Sequence, residues 1–312
     1  MPPGAQCQSE CASHPMSRAQ KRAGALGLLT IAPPTRKDGF IKMPRHRRVL
    51  RDVVYGDADG RPLLLDLHLP TGSSGPWPVI LWVHGGGWRR GDKGQNVVAA
   101  RMTNDGYAVA SVGYRLSVEA TFPAQIYDCK AAVRWIRAKG VEYGLDADRI
   151  GAWGPSAGGH LVALLGTSGD LPELEGDCGH PGYSTRVQAV CDWFGPTDLV
   201  QMGRYPSDID HDAPDSPESQ LLGGPVQERV EMSRRANPLT YIHKIGPPFL
   251  IMHGAVDRIV PKEQSVLLHK ALVAAGGSSS LHLIPGAGHG GDAFAAEEVM
   301  GIVKAFFQQH LT

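Results

Sequence analysis

From about Val49 onward, short apolar runs end abruptly at glycine. WPVILWVHGGG, YAVASVGYR, DRIGAWGPS, VQAVCDWFG, PPFLIMHGAVD and LHLIPGAGHGG all have this form. A short run that is apolar at every position suits a strand buried on both faces of a parallel sheet. Ahead of them, VLRDVVYG and RPLLLDLHLP read as strands near an edge, the second alternating leucine with Asp66 and His68.

Helical periods fill the gaps. FPAQIYDCKAAVRWIRAKG has Pro123 near its start, Gly140 at its end, and Ile126, Ala131, Val133 and Ile136 placed to face a sheet. Gln95 to Asp105 reads as a helix stopped by Asn104-Asp105-Gly106, and AGGHLVALLG, VPKEQSVLLHKALVAAGG and DAFAAEEVMGIVKAFFQQHL as further helices. Strands alternating with helices at this spacing predict an α/β fold: a mostly parallel sheet of about eight strands with helices on both faces.

Two regions break the rhythm. Between Asp198 and Pro247 there is no clear strand, and SDIDHDAPDSPESQLLGG is polar, acidic and proline-rich. Residues 199–246 are therefore expected as a lid-like insertion over the sheet's carboxyl edge, within a catalytic domain spanning 46–312. Residues 1–45, rich in Pro, Gly, Ser and Ala, read as an extension that is disordered or part of a cap, without a convincing strand. Lys21 and Arg22 followed by AGALGLLTIA faintly resemble an export signal, but the apolar core is interrupted and no clean cleavage site follows. A cytoplasmic location is expected, with export left open.

Charge narrows the partners. Lysine plus arginine and aspartate plus glutamate each number 31, so the formal charge is zero and nothing marks a nucleic-acid or anionic-membrane surface. No apolar run approaches the roughly 18 residues a membrane span needs. Cys7, Cys11, Cys129, Cys178 and Cys191 are too scattered for a disulfide scaffold, although a bridge between Cys178 and Cys191 stays open.

Ligands of open α/β sheets bind beyond the carboxyl ends of the strands, and there the chemistry concentrates. Gly154-Pro155-Ser156-Ala157-Gly158 is a G-x-S-x-G match between a strand and a helix. Such a turn lifts a serine oxygen above the sheet and sets the next amide at a helix N-terminus. His84-Gly85-Gly86-Gly87-Trp88 follows another strand, and three glycines let amides converge on an oxygen that gains charge. His84 is expected to brace this loop or line the pocket, and Trp88 to wall it.

A serine hydroxyl needs a base near pH 7, and a histidine base needs a carboxylate to set its tautomer. Asp257 in HGAVDRIVP and His289 in PGAGHGG follow the last two strands and supply both. Asp198 in FGPTDL is the alternative acid. His253 ends a strand and is a rival lining residue, and His160 reads as packing or capping. No H-E-x-x-H, C-x-x-C or G-x-x-x-x-G-K-[ST] pattern occurs, so neither metal nor nucleotide cofactor is expected.

Taken together, HGGGW, GPSAGGH, DWFGPTDL, HGAVDRIVP and GAGHG resemble the α/β-hydrolase fold family from about Arg51 to the C-terminus. More narrowly, they are similar to carboxylesterases related to hormone-sensitive lipase and to bifunctional feruloyl and acetyl esterases. Pro155, where lipase relatives usually carry Asp, and Trp88 after the glycines favour the feruloyl and acetyl side. The resemblance implies Ser156 as nucleophile, His289 as base and acid, Asp257 as the orienting carboxylate, and Gly86, Gly87 and Ala157 as oxyanion amides. It implies hydrolysis of short-chain or aromatic acyl esters through an acyl-enzyme, with no cofactor. Arylformamidases, which share HGGxW, and prolyl-oligopeptidase-type peptidases are the alternatives. A hydrolase fold kept only for binding is more remote. Homodimerisation is an expectation too, with LHLIP as the edge strand to mediate it.

Overall fold

A computed structural model describes residues 48–71, 74–242 and 246–311, together with the backbone of 28–30. The expectations for Cys7, Cys11, Lys21, Arg22 and the rest of the N-terminal extension lie outside the described residues.

The sheet is built from β1 (Leu28–Thr30), β2 (Arg48–Ala58), β3 (Arg61–Leu69), β4 (Trp77–Val83), β5 (Ala108–Val112), β6 (Leu145–Pro155), β7 (Ala189–Trp193), β8 (Phe249–Gly254) and β9 (Ser279–Ile284). Their order is β1-β9-β8-β7-β6-β4-β5-β3-β2. The β2–β3 and β3–β5 pairings are antiparallel, and every other pairing is parallel. The helices are α1 (Ala124–Lys139), α2 (Ala157–Thr167), α3 (Leu199–Met202), α4 (Pro217–Leu222), α5 (Val230–Ala236), α6 (Glu263–Ala274), α7 (Asp292–Ala295) and α8 (Glu297–His310).

The all-apolar strands behave as their composition requires. Along β4, Val79, Leu81 and Val83 join a core with Ile126 and Ile136 of α1, Leu161 of α2 and Leu268 of α6. Ile80 and Trp82 point the other way, into a core with Val299, Val303 and Phe307 of α8. Period-two alternation thus serves two buried faces rather than one. The result is the expected α/β architecture, a mostly parallel sheet with helices on both faces.

Several local expectations change. The extension does contain a strand: Leu28–Thr30 pairs in parallel with Leu281–Leu283, so LHLIP is not a free edge for a partner copy. β3 does lie next to the edge strand β2, but its Asp66 and His68 are buried; Asp66 meets Lys93 Nζ at 3.0 Å from a loop folded over the strand. Only Ala99–Asp105 of the Gln95–Asp105 segment is helical, as a 3-10 turn, because Asp92 Oδ1 captures the Gly94 N–H in a tight turn just upstream. The C-terminal helix is broken at Ala296, whose extended backbone (φ −61°, ψ 145°) separates α7 from α8. Cys178 and Cys191 are both buried free thiols and form no bridge.

Candidate active site

Ser156 stands between the last residue of β6 and the first of α2, at φ 56° and ψ −123°. A non-glycine residue there carries strain of about 1–3 kcal/mol, which the surroundings must over-determine. The Ser156 N–H donates to the Trp193 carbonyl at 2.8 Å, and its carbonyl accepts from the His160 N–H at 3.0 Å, closing the first turn of α2. The close approach explains the small neighbours. A Cβ on Gly158 would lie 2.0 Å from the Val83 carbonyl oxygen of β4.

Three strands converge on this serine. His289, in the loop after β9, places Nε2 3.0 Å from Ser156 Oγ. Its Nδ1 lies 2.7 Å from Oδ2 of Asp257, in the loop after β8. Asp257 Oδ1 accepts from the amides of Ile259 (2.8 Å) and Val260 (3.0 Å). Burial alone would raise the Asp257 pKa, but hydrogen bonds from His253 and His289 outweigh it and hold the carboxyl well below its ordinary range. An ionised Asp257 keeps the proton on His289 Nδ1, leaving an Nε2 lone pair toward the serine hydroxyl.

The loop after β4 runs against the serine: a Cβ on Gly85 would lie 3.4 Å from Ser156 Cβ. Gly86, Gly87 and Trp88 all have positive φ (115°, 60° and 56°). The Gly86 carbonyl turns away to accept from Arg89 and Arg90. Among the described residues, the N–H groups of Gly86, Gly87 and Ala157 have no acceptor, as an oxyanion site requires.

His84 and Trp88 behave differently from a pocket pair. The His84 imidazole is buried, stacked on Tyr114 at 4.3 Å, and hydrogen bonded from Nδ1 to the Gly85 carbonyl at 2.8 Å. It braces the loop and does not line the cavity, because its ring is directed into the core. Trp88 borders the cavity, but its indole is 1% exposed and Nε1 donates to His160 Nδ1 at 3.2 Å. His160 Nε2 in turn donates to the Ala236 carbonyl of α5 at 2.7 Å, tying the loop after β4 to the excursion above the sheet.

The other rivals have their own places. Asp198 caps α3, accepting from the Gln201 amide at 3.1 Å and the Gln201 side chain at 2.5 Å. His253 is fully buried and lies 3.3 Å from Asp257 Oδ2.

A cavity of about 340 Å³ opens above Ser156 and His289. Phe194, Ile209, His211, Pro217, Glu218 and Val260 contribute to its walls. Phe194, at φ 43° just past β7, packs edge-on against the His289 ring at 4.7 Å. Sequence reasoning missed Phe194, His211 and Glu218. Phe194 was signalled only by its position after a strand, and the other two sit in a segment with no periodicity to orient them. Among the described residues, no three His, Cys, Asp or Glu side chains cluster as a metal site would.

The BD-FAE family model matches residues 65–272. Esterase LipQ of Mycobacterium tuberculosis is 32% identical over 299 residues, a match that covers 93% of this chain and 66% of LipQ. A solved bifunctional GH43-CE protein of Bacteroides eggerthii superposes with a TM-score of 0.77 at 34% identity, over 85% of this chain and 35% of that one. A truncated carbohydrate esterase from gut microbiota gives a TM-score of 0.77 at 30% identity, over 84% of this chain and 95% of the other. The chain spans between 54% and 66% of the length of three curated mycobacterial relatives, LipQ, LipC and LipM.

Proposed function

Because the chain belongs to the BD-FAE family of α/β-hydrolase esterases, we propose that it is a serine carboxylesterase of short-chain or aromatic acyl esters, acting on the feruloyl or acetyl type. The observation that carries this reading is the continuous Ser156–His289–Asp257 hydrogen-bond chain, at 3.0 and 2.7 Å, opening onto one cavity.

The chemistry follows from the proton positions. Ser156 Oγ attacks the ester carbonyl as its proton passes to His289 Nε2. The resulting imidazolium is stabilised by Asp257, whose Oδ2 already accepts a hydrogen bond from Nδ1–H. The free amides of Gly86, Gly87 and Ala157 receive the carbonyl oxygen as it becomes an oxyanion. Collapse of the tetrahedral intermediate expels the alcohol, protonated by His289, and leaves Ser156 acylated. Water, deprotonated by His289, then attacks the acyl-enzyme through a second tetrahedral intermediate and releases the acid.

The carbohydrate-esterase neighbours support an acylated sugar as the natural kind of substrate. The test is a panel of p-nitrophenyl acetate and butyrate, methyl ferulate, acetylated xylan and N-formylkynurenine, run with wild type and Ser156→Ala. Ester turnover that disappears in Ser156→Ala is the expected result. Turnover surviving at wild-type level would remove Ser156 as nucleophile, and preference for the formamide would replace the esterase reading.

A further inference from the structure

The cavity wall contains a buried acid–base pair that acyl transfer does not use. Glu218, in the first turn of α4, and His211, upstream in the same excursion, have side chains only 4% and 2% exposed. His211 Nδ1 lies 3.2 Å from Glu218 Oε1. Its Nε2 lies 3.0 Å from the Ile259 carbonyl, which can only accept, so Nε2 carries a proton. The Nδ1–Oε1 approach is an ion-pair contact rather than a hydrogen bond, and His211 Nδ1 has no hydrogen-bond partner among the described residues. Glu218 Oε2 is left without a donor among the described residues.

Packing fixes where this open acceptor sits. Pro217, beside Glu218, rests on the oxyanion loop: a Cβ on Gly87 would lie 3.1 Å from the Pro217 ring. His211 hangs from Ile259, two residues past the acid Asp257. Both members of the pair line the same cavity as Ser156 and His289.

Charge decides what the acceptor can recognise. Arg89 and Arg90 on the same wall oppose a cation. An anion would meet the lone pairs of Oε2. A hydroxyl matches: it donates one hydrogen bond and brings no charge. Oε2 has almost no water-accessible surface, so a hydroxyl reaches it only where the cavity wall gives way, and it then binds in a low-dielectric setting where each hydrogen bond is stronger.

We propose that Glu218, held by His211, is a subsite for a hydroxyl group on the substrate. The hydroxyl is carried either by a sugar alcohol or by a hydroxycinnamoyl acyl group. This inference rests on the esterase reading above.

The experiment compares kcat/KM for two matched pairs. Methyl p-coumarate against methyl cinnamate differs by the acyl-side phenol alone. A monoacetylated methyl xyloside against tetrahydropyran-3-yl acetate tests hydroxyls on the alcohol side. Wild type should prefer the hydroxylated member of one pair by about tenfold or more, because a site built around a buried acceptor rejects the analogue that leaves it unpaired. The preferred pair identifies the source. Glu218→Met should abolish that preference. Glu218→Gln should retain most of it, since its amide can donate to His211 Nδ1 and still present an oxygen to the cavity.

No preference in wild type overturns the subsite, whatever the variants do. So does a preference that persists undiminished in a Glu218→Met protein whose thermal unfolding remains cooperative. A wild type that fails on p-nitrophenyl acetate as well would sink the esterase reading instead.

Discussion

His253 Nε2 lies 3.3 Å from Asp257 Oδ2, the same oxygen that receives His289 Nδ1. The buried imidazole is itself fixed: Nδ1 accepts from Ser265 Oγ at 2.7 Å, and Nε2–H is shared with the Val260 carbonyl at 2.9 Å. Asp257 is thus held by two imidazoles and two backbone amides, and the position of the base depends on all of them. Replacing His253 with Phe should lower kcat on p-nitrophenyl acetate by on the order of ten- to hundred-fold with KM little changed, the cost of a misplaced catalytic group. An unaltered kcat would mean the two amides suffice to orient Asp257.

The two candidate acids have different partners: Asp257 meets His289, and Asp198 caps α3. Asp257→Asn keeps the shape but lets an amide donate toward His289, favouring the wrong tautomer; a loss of roughly 10³- to 10⁴-fold in kcat is expected. Asp198→Asn keeps a good N-cap on a four-residue helix and touches no reacting group. It should leave kcat within about twofold of wild type on the scale of ordinary cap substitutions. Steady-state kinetics of the two purified variants decide the matter, and a larger loss from Asp198→Asn would reverse the assignment.

Gly86 tests the oxyanion loop by backbone geometry alone. At φ 115° an L side chain is disfavoured, and a Cβ would lie 2.1 Å from the Arg90 carbonyl oxygen. Gly86→Ala must therefore move the loop and its amides. Losing one oxyanion donor costs about 2.7–4 kcal/mol, or 10²- to 10³-fold in kcat, so a decline of that size is expected. Binding of a substrate analogue, followed by isothermal titration, should change far less. Near-normal kcat in Gly86→Ala would place the oxyanion elsewhere.

The parts of this site that were legible in the sequence are those where backbone chemistry leaves a local signature. Gly85, Gly86, Gly154 and Gly158 mark places where chains approach too closely for a Cβ, and clustered glycines directly after apolar runs make them visible. Asp257 and His289 could be read because each follows an apolar strand and so reaches the carboxyl edge. The failures have a common cause. Whether His84 turns into the cavity or stacks on Tyr114, and whether Asp66 is solvated or meets Lys93, depends on loops folding back over the sheet. His211 and Glu218 meet through such a loop, in a stretch whose short helices are set by Ser216 and proline rather than by periodicity. The strand Leu28–Thr30 was hidden for a related reason: three residues are too few to display alternation.

His160 and Asp192 set opposite pH dependences on stability. Burial lowers the His160 pKa to about 4, against a smaller opposing effect from its bond to the Ala236 carbonyl. Between about pH 4 and 6.5 the unfolded chain binds a proton there that the native protein refuses, so stability falls as pH drops through that window. The change is worth at most about 3 kcal/mol. Protonation would also set a donor against the Trp88 indole N–H and release the oxyanion loop from α5. Asp192, fully buried on β7, has its pKa raised by burial to about 7 despite the Gly195 N–H on Oδ1. Between about pH 4 and 7 the native protein keeps a proton there that the unfolded chain releases, so stability falls as pH rises. In wild type the two effects largely cancel, and each variant should uncover the other. Asp192→Asn should lose stability steeply as pH falls from about 6.5 to 4, whereas His160→Phe should lose it as pH rises from about 4 to 7. Urea unfolding of the three proteins at intervals between about pH 4.5 and 7.5 measures this directly. Parallel profiles for all three would show that neither group titrates differently in the native and unfolded states.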